Sequence, residues 1–308
     1  MEILNQLEPG IREIVKQFIE AGRPSARLQS FNERRQGYLD SVALAGAAEP
    51  VSEITDCTID SIPLRIYRPS HESDLPVMIY YHGGCFVSGD LETHDRQLRA
   101  LANLAKILIV AVDYRLAPEH VYPAGHDDAY KAAHIVREHA KSWGGDPNEI
   151  TLAGDSAGGH IALITSLRLK AQKEWMPTRQ VLIYPMLDAS GSSNSYQRYG
   201  DDFVITRDTL LSGFEAYLRN IPVDHPEASP LLRNDLEGLP YTHILLAEFD
   251  PLADEGEMLY RRLLEAGVGA ECMKYYGVNH GFFQLAGISG AARTAIHDVA
   301  SLIKHAHQ

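Results

Sequence analysis

The chain has 308 residues, of which 45% are hydrophobic, and its formal net charge is −13 at neutral pH. This size and apolar content allow a substantial buried core, while the acidic balance, without any basic run, argues against a nucleic-acid partner. The three cysteines (Cys57, Cys85 and Cys272) are far apart and fit neither a disulfide framework nor a zinc spacing. We therefore expect a chain from a reducing compartment, with no metal site.

The N-terminal segment is acidic and lacks the basic flank and apolar core of a secretory signal. No apolar run approaches the ~20 residues that a helix needs to cross a bilayer. These two features predict a cytoplasmic protein without a membrane span.

The first 48 residues are predicted to be helical. Apolar residues recur at helical spacing over 10–20, at Ile11, Ile14, Val15, Phe18 and Ile19, and a second helical pattern covers 33–46. Nothing in this segment indicates a strand, so its apolar face must pack on another part of the chain. We expect residues 1–48 to form the N-terminal part of a helical cap.

From residue 49 onward, strands and helices alternate. Apolar runs predict strands within 57–67, 75–82, 107–112, 150–155, 180–185, 241–249 and 271–276, and helical patterns cover 92–106, 125–142, 157–167, 254–266 and the last segment. Repeated strand–helix units favour an α/β fold with a mainly parallel sheet and helices on both of its faces. The rhythm breaks at 188–230, which is polar and carries one amphipathic helix. The predicted division is a core of 49–187 and 231–308, with 188–230 as the second part of the cap.

The segment Gly154-Asp155-Ser156-Ala157-Gly158 lies between an apolar run and a helical pattern. Such small residues predict a strand that turns sharply into a helix at the serine, so that its hydroxyl projects from the turn. The N–H groups at the start of the helix, and the positive end of its dipole, would then face the hydroxyl. Turns of this kind also occur without catalysis, so a catalytic interpretation depends on partner residues elsewhere.

Partners are expected where polar residues follow apolar runs, because ligands bind beyond the carboxyl ends of the strands in open α/β sheets. A serine attacks a carbonyl only if an imidazole takes its proton, and that imidazole needs an acceptor on its other nitrogen. His280 is the preferred base, because it follows the last predicted strand in a glycine-flanked loop. Asp250, which ends a strand, is the preferred acid; Asp254 is the reserve, and Asp188 is a further alternative.

Five motifs then resemble the hormone-sensitive-lipase family of carboxylesterases, also called bacterial family IV. They run in order from about residue 62 to the C-terminus: His82-Gly83-Gly84-Cys85-Phe86, Asp113 to Glu119, Gly154 to Gly158, Asp250 to Gly256 and Asn279-His280-Gly281-Phe282. The resemblance implies an α/β-hydrolase fold with a helical cap. It also implies hydrolysis of short- to medium-chain acyl esters through an acyl-enzyme, without a metal or organic cofactor. Carried over by position, Ser156 is the nucleophile, His280 the base and Asp250 its orienting acid.

The N–H groups of Gly83, Gly84 and Ala157 are the expected donors to the oxyanion of the tetrahedral intermediate. The family usually has a third glycine where this chain has Cys85. A small buried thiol is the simplest expectation there, although its side chain could narrow the pocket or shift the loop. We hypothesise that Cys85 lies close enough to the site for thiol-directed reagents to slow turnover.

Six further residues are candidates for lining an apolar substrate pocket: Phe86, Tyr196, Phe203, Leu210, Phe214 and Phe282. Arg115 and Glu119 are expected to form a structural ion-pair network near the Ser156 turn, and Asp155 to serve loop geometry.

The main functional hypothesis is a carboxylesterase that acts on a small-molecule ester. An amide, lactone or carbamate hydrolase with the same triad is an alternative that the residues leave open. A non-catalytic ligand-binding receptor on this fold is disfavoured, because such receptors lose the base whereas this chain keeps His280. Dimers occur in the resembling family, and a homodimer is compatible with the sequence, but nothing in it demonstrates one.

Overall fold

In the computed structural model, residues 3–304 are described, and they contain one eight-stranded sheet. The strands are β1 (Glu53–Ile59), β2 (Ile62–Arg68), β3 (Leu75–Tyr81), β4 (Leu108–Val112), β5 (Gly145–Asp155), β6 (Arg179–Ile183), β7 (Tyr241–Phe249) and β8 (Ala270–Asn279). Their order across the sheet is β1-β2-β4-β3-β5-β6-β7-β8. The pairs β1–β2 and β2–β4 are antiparallel and the remaining pairs are parallel, which confirms the predicted mainly parallel sheet.

Most helices alternate with the strands, but two precede β1 and two lie between β6 and β7. They are α1 (Pro9–Glu20), α2 (Phe31–Ser41), α3 (Leu91–Ala105), α4 (Ala124–His139), α5 (Ala157–Ala171), α6 (Asn194–Tyr199), α7 (Arg207–Leu218), α8 (Ala253–Glu265) and α9 (Gly290–Lys304). Two differ from the sequence expectation. Helix α2 starts earlier than predicted, because Ser30 and Glu33 form a reciprocal capping box. The segment 188–230 holds two helices rather than one, since the glycine- and serine-rich stretch before α7 also contains α6.

The alternation of side chains along the strands builds one apolar core on each face of the sheet. On β3, Val77, Ile79 and Tyr81 point to the face covered by α4 and α5, whereas Met78 and Tyr80 point to the face covered by α3 and α9. All five of these side chains are almost fully buried. A sheet covered on both faces requires strands that are apolar along their whole length, and this is the pattern of 75–81 and 107–112.

The N-terminal segment and the segment between β6 and β7 are joined by polar contacts. Arg27 pairs with Glu215 at 2.6 Å, and the Ser25 hydroxyl donates to Asp208 at 2.6 Å. Most of these groups are exposed, so each contact stabilises the fold only slightly. The contacts nevertheless hold the segment just before α2 against α7. The division into domains at 48, 187 and 230 stays a prediction. Among residues 3–304, no helix combines the length and apolarity needed to cross a membrane.

Candidate active site

Ser156 occupies a sharp turn between β5 and α5. Its φ is +55°, a left-handed value that non-glycine residues rarely adopt and that carries strain. A Cβ atom on Gly158 would lie 2.6 Å from the Tyr81 carbonyl carbon, and one on Gly154 would lie 2.6 Å from the Tyr81 carbonyl oxygen. Both positions therefore need glycine, because the backbone of β3 passes too close for a side chain. The strand–turn–helix geometry predicted around Ser156 is confirmed.

The structure brings Ser156, His280 and Asp250 into one hydrogen-bonded row. The His280 Nε2 atom lies 2.9 Å from the Ser156 Oγ atom, and the Nδ1 atom lies 2.8 Å from Asp250 Oδ2. All three residues are buried, with 4%, 5% and 0% of their surfaces exposed for Ser156, His280 and Asp250. A carboxylate on Nδ1 fixes the tautomer in which Nε2 is free to accept a proton from the serine.

Asp250 and His280 reach this row from the ends of β7 and β8. The Leu252 N–H donates to Asp250 Oδ1 at 2.7 Å, so one carboxylate oxygen is held by the backbone while the other faces the imidazole. The Asn279 Nδ2 group donates to the Phe203 carbonyl at 2.9 Å, which ties the histidine loop to the segment between β6 and β7. The reserve acid Asp254 lies elsewhere, accepting the Ser195 N–H at 2.8 Å.

In the loop after β3, one of the three expected oxyanion donors, the N–H of Gly83, already has a partner. The Gly83 N–H donates to Asp155 Oδ1 at 3.0 Å and is therefore not available to a substrate. The N–H groups of Gly84 and Cys85 make no hydrogen bond to any residue in 3–304, and both residues line the cavity in front of Ser156. Ala157 is the first residue of α5, where backbone N–H groups have no partner within the helix. The Cys85 N–H was not among the candidate donors in the sequence analysis, which assumed that only glycine brings the backbone close enough.

Asp155 is fully buried and surrounded by donors, which agrees with the expectation that it serves loop geometry. The Tyr80 hydroxyl donates to it at 2.9 Å, the Gln284 amide donates to its other oxygen, and His94 Nε2 lies 2.9 Å from Oδ1. Burial alone would raise the pKa of Asp155, but His94, Tyr80 and Gln284 outweigh it and lower the pKa below its usual value. The residue before Ser156 is therefore an anion that links β3, α3 and the segment after β8.

A cavity of about 420 Å³ opens in front of Ser156 and His280. Its wall includes side chains of α1 and α2 that sequence reasoning did not assign to the site, among them Ile14, Phe18, Arg34 and Tyr38. One signal could have found them: the amphipathic pattern of 10–20 required a partner, and the carboxyl edge of the sheet was available. The volume lies in the range typical of small-molecule sites.

Of the seven predicted pocket residues, only Cys85 belongs to the cavity wall. The other six are buried in the core: Phe86, Tyr196, Phe203, Leu210, Phe214 and Phe282. Phe86, for example, stacks on Tyr217 with ring centroids 4.8 Å apart, and Phe203 stacks on Phe249 at 5.2 Å. Their assignment to the pocket is wrong, because these six side chains pack in the buried core rather than on the cavity wall.

Cys85 adopts a backbone conformation that normally favours glycine, with φ of +56°. Its side chain fits because α7 carries Gly213 opposite it, where a Cβ atom would lie 2.6 Å from the Cys85 Cβ. Burial raises the pKa of the Cys85 thiol above its usual value. The glycine missing from the loop is thus matched by a glycine on the cap.

The predicted ion-pair network around Arg115 and Glu119 forms through partners on two different helices. Arg115 binds Asp128 of α4 at 2.8 Å, and Glu119 binds Arg35 of α2 at 2.6 Å. The loop between β4 and α4 is held at two points, one of them in the cap.

Within residues 3–304, no cluster of three or more His, Cys, Asp or Glu side chains is arranged to hold a metal ion.

Comparison with known proteins agrees with this architecture. The sequence profile of a family described as having the alpha/beta hydrolase fold matches residues 78–284. The chain is 37% identical to the carboxylic ester hydrolase LipN of Mycobacterium tuberculosis over 82% of this chain and 70% of LipN. It is 35% identical to an ethyl acetate hydrolase of Pseudomonas putida, over 88% and 91% of the two chains. The structure of a hyperthermophilic esterase from Pyrobaculum calidifontis superposes with a TM-score of 0.91 at 37% identity, covering 98% of this chain and 99% of that one.

The fold, the turn at Ser156 and the profile match define the class, which is that of the α/β hydrolases. Within that class the chain belongs to the hormone-sensitive-lipase family of carboxylic ester hydrolases, as its relatives and structural neighbours do.

Proposed function

We propose that the protein is a serine carboxylesterase that hydrolyses short- to medium-chain acyl esters of small molecules through an acyl-enzyme intermediate. The observation that carries the proposal is the row Ser156–His280–Asp250, with separations of 2.9 and 2.8 Å. The esterase names of the relatives support the class of substrate.

In the first half of the proposed reaction, the Ser156 Oγ atom attacks the ester carbonyl carbon while His280 Nε2 takes the hydroxyl proton. Asp250 stabilises the resulting imidazolium through Nδ1. The tetrahedral intermediate collapses, the carbon–oxygen bond to the alcohol breaks, and His280 returns the proton to the departing alkoxide. In the second half, a water molecule attacks the acyl-serine with His280 again as the base, which releases the acid and restores Ser156.

We assign the oxyanion donors to the N–H groups of Gly84, Cys85 and Ala157, in place of the Gly83 donor expected from the sequence. Support comes from the Gly83–Asp155 hydrogen bond and from the position of Gly84 and Cys85 on the cavity wall. Each donor directed at the developing charge is expected to contribute about 2.7–4 kcal/mol to transition-state stabilisation.

The test is a panel of p-nitrophenyl esters from acetate to palmitate, assayed with the wild-type protein and with Ser156→Ala. We expect kcat/KM to be highest for the short and medium chains, to fall for palmitate, and to vanish in Ser156→Ala. 4-Nitroacetanilide serves as the amide arm of the same panel. Turnover of the anilide in preference to the esters would favour the amidase alternative, and ester hydrolysis that survives in Ser156→Ala would contradict the proposal.

A further inference from the structure

The cavity that contains Ser156 also contains an arginine without a carboxylate partner. Arg34 of α2 is half-buried and lines the cavity together with Ser156 and His280. Its Nη1 group donates to the Ser212 hydroxyl at 3.1 Å and its Nη2 group to the Thr209 carbonyl at 3.1 Å. Both acceptors are neutral, and Arg34 forms no ion pair with any residue in the described range of the chain.

The neighbouring arginines are arranged differently. Arg23 pairs with Asp202 at 2.5 Å, Arg27 with Asp208 and Glu215, and Arg35 with Glu119. These three connect the N-terminal segment to other parts of the molecule through carboxylates. Arg34, which lies among them in sequence, faces the cavity instead, so its positive charge is not neutralised by the protein.

The acidic side chains of the cavity wall are already committed. Glu33 accepts the Ser30 N–H at 2.7 Å and the Ser30 hydroxyl at 2.8 Å within the α2 capping box. Asp155 accepts from Tyr80, Gly83 and Gln284. Neither carboxylate compensates Arg34, although the molecule as a whole carries a net charge of −13. An uncompensated cation in the cavity of an acidic protein favours an anionic ligand there.

We infer that Arg34 is a specificity determinant for ester substrates that carry a carboxylate. This inference rests on the proposed esterase function and names its substrate class. A guanidinium stays charged at all relevant pH values and has five N–H donors, of which the Ser212 and Thr209 contacts engage two. Its planar donor geometry suits two-point binding of a carboxylate, and these charge-assisted hydrogen bonds are stronger than neutral ones.

The carboxylate can belong to either part of the ester. A half-ester of a dicarboxylic acid carries it on the acyl part, whereas an acylated hydroxy acid carries it on the alcohol part. Both present the same chemistry to Arg34 from opposite sides of the scissile bond. Arg34 of α2 lines the same cavity as Ser156 and His280, so a carboxylate on either part of the ester could reach it.

The experiment compares each anionic ester with its neutral methylated counterpart. The acyl arm uses mono-p-nitrophenyl adipate and its methyl ester, and the alcohol arm uses 4-acetoxybenzoate and methyl 4-acetoxybenzoate. The quantity compared is the ratio of kcat/KM for the anionic and neutral members of a pair, in the wild type, Arg34→Gln, Arg34→Lys and Arg27→Gln. The last variant is the matched control, because it removes a cap arginine that is paired and does not line the cavity.

We expect the ratio to fall roughly 10- to 100-fold in Arg34→Gln for at least one arm, with partial recovery in Arg34→Lys and no change in Arg27→Gln. The arm that responds identifies the side of the ester that carries the carboxylate. An unchanged ratio in Arg34→Gln, whether both members of a pair lose activity equally or neither does, would overturn the inference. Arg34 would then be only a structural link to Ser212. Failure of the wild type to hydrolyse the neutral esters would instead count against the proposed function itself.

Discussion

The N–H of Gly83 donates to the carboxylate of Asp155 at 3.0 Å, so the residue before Ser156 in sequence positions the loop that follows β3. The Asp155 side chain thus holds the backbone of Gly83 in place. The contact engages the Gly83 N–H, which is why we propose the N–H groups of Gly84 and Cys85 as oxyanion donors in its place. Two motifs that are more than 70 residues apart are coupled by one buried anion.

Asp155→Asn tests this coupling. The amide introduced by this substitution would place N–H donors against the Gln284 amide, and the negative charge beside His94 would be lost. We therefore expect the free energy of unfolding to fall by about 3 kcal/mol. Because the Gly83 loop would shift, kcat should also fall, by about 10-fold or more. Urea unfolding and steady-state kinetics measure the two effects. Tyr80→Phe is the control, since it removes one hydrogen bond to Asp155 and should cost only ~1 kcal/mol. A full kcat in Asp155→Asn would disprove the coupling.

Glu255 provides a prediction of pH dependence. It is fully buried on α8, where Oε2 accepts the N–H groups of Leu187 and Asp188, while Oε1 has no partner among the described residues. Burial raises the pKa of Glu255 well above its usual value of 4.5. The folded state therefore keeps the proton when the unfolded state releases it, and stability should decline as the pH rises above 4.5 towards the folded-state pKa.

Glu255→Gln imitates the protonated carboxyl, so the stability of this variant should not decline as the pH rises. We expect the variant to match or exceed the wild type in urea midpoint at pH 8, with the difference shrinking as the pH approaches 5. Glu255→Ala is the control for the two backbone hydrogen bonds and should be destabilised at every pH, by about 1–3 kcal/mol. Parallel pH profiles for the wild type and Glu255→Gln would show that the side chain is ionised in the fold.

The fit between Cys85 and Gly213 predicts an asymmetry between two cap glycines. A methyl group at Gly213 would meet the Cys85 Cβ at 2.6 Å, whereas one at Gly37 of α2 meets nothing within 4 Å. Gly213→Ala should therefore destabilise the protein by about 1–3 kcal/mol and lower kcat/KM, because α7 presses on the Cys85 loop. Gly37→Ala should be stabilising by ~0.5–1 kcal/mol, as expected for alanine in a helix. Equal urea midpoints for the two variants would rule out the proposed fit.

Cys85 lines the cavity, so we expect modification of its thiol to block substrate access. Since burial raises the pKa of this thiol, the reactive thiolate is scarce at neutral pH and inactivation by methyl methanethiosulfonate should accelerate as the pH rises. Cys85→Ala should be resistant, while Cys57→Ala, altered at a cysteine outside the cavity, should be inactivated like the wild type. Inactivation that proceeds equally in Cys85→Ala would assign the effect to another residue.

Local signals in the sequence were sufficient for the sheet and for the positions of Ser156, Asp250 and His280. Strands buried on both faces have near-continuous apolar runs, and Ser156 and Asp250 each follow such a run. His280 follows β8, a partly exposed edge strand, and was found from its position in a glycine-flanked loop after the last strand. The role of Gly83 could not be predicted in the same way, because it depends on the direction of the Asp155 side chain. The cavity wall was also missed, since α1 and α2 reach the carboxyl edge of the sheet only through tertiary packing.

The most direct test of the central claim is covalent labelling with a fluorophosphonate, followed by intact-mass and peptide mass spectrometry. A nucleophile activated by His280 should take up one phosphonyl group per chain, on Ser156, in parallel with the loss of esterase activity. Ser156→Ala should remain unlabelled, and His280→Ala should be labelled several orders of magnitude more slowly. Labelling of another residue, or full activity after Ser156 has been modified, would contradict the account.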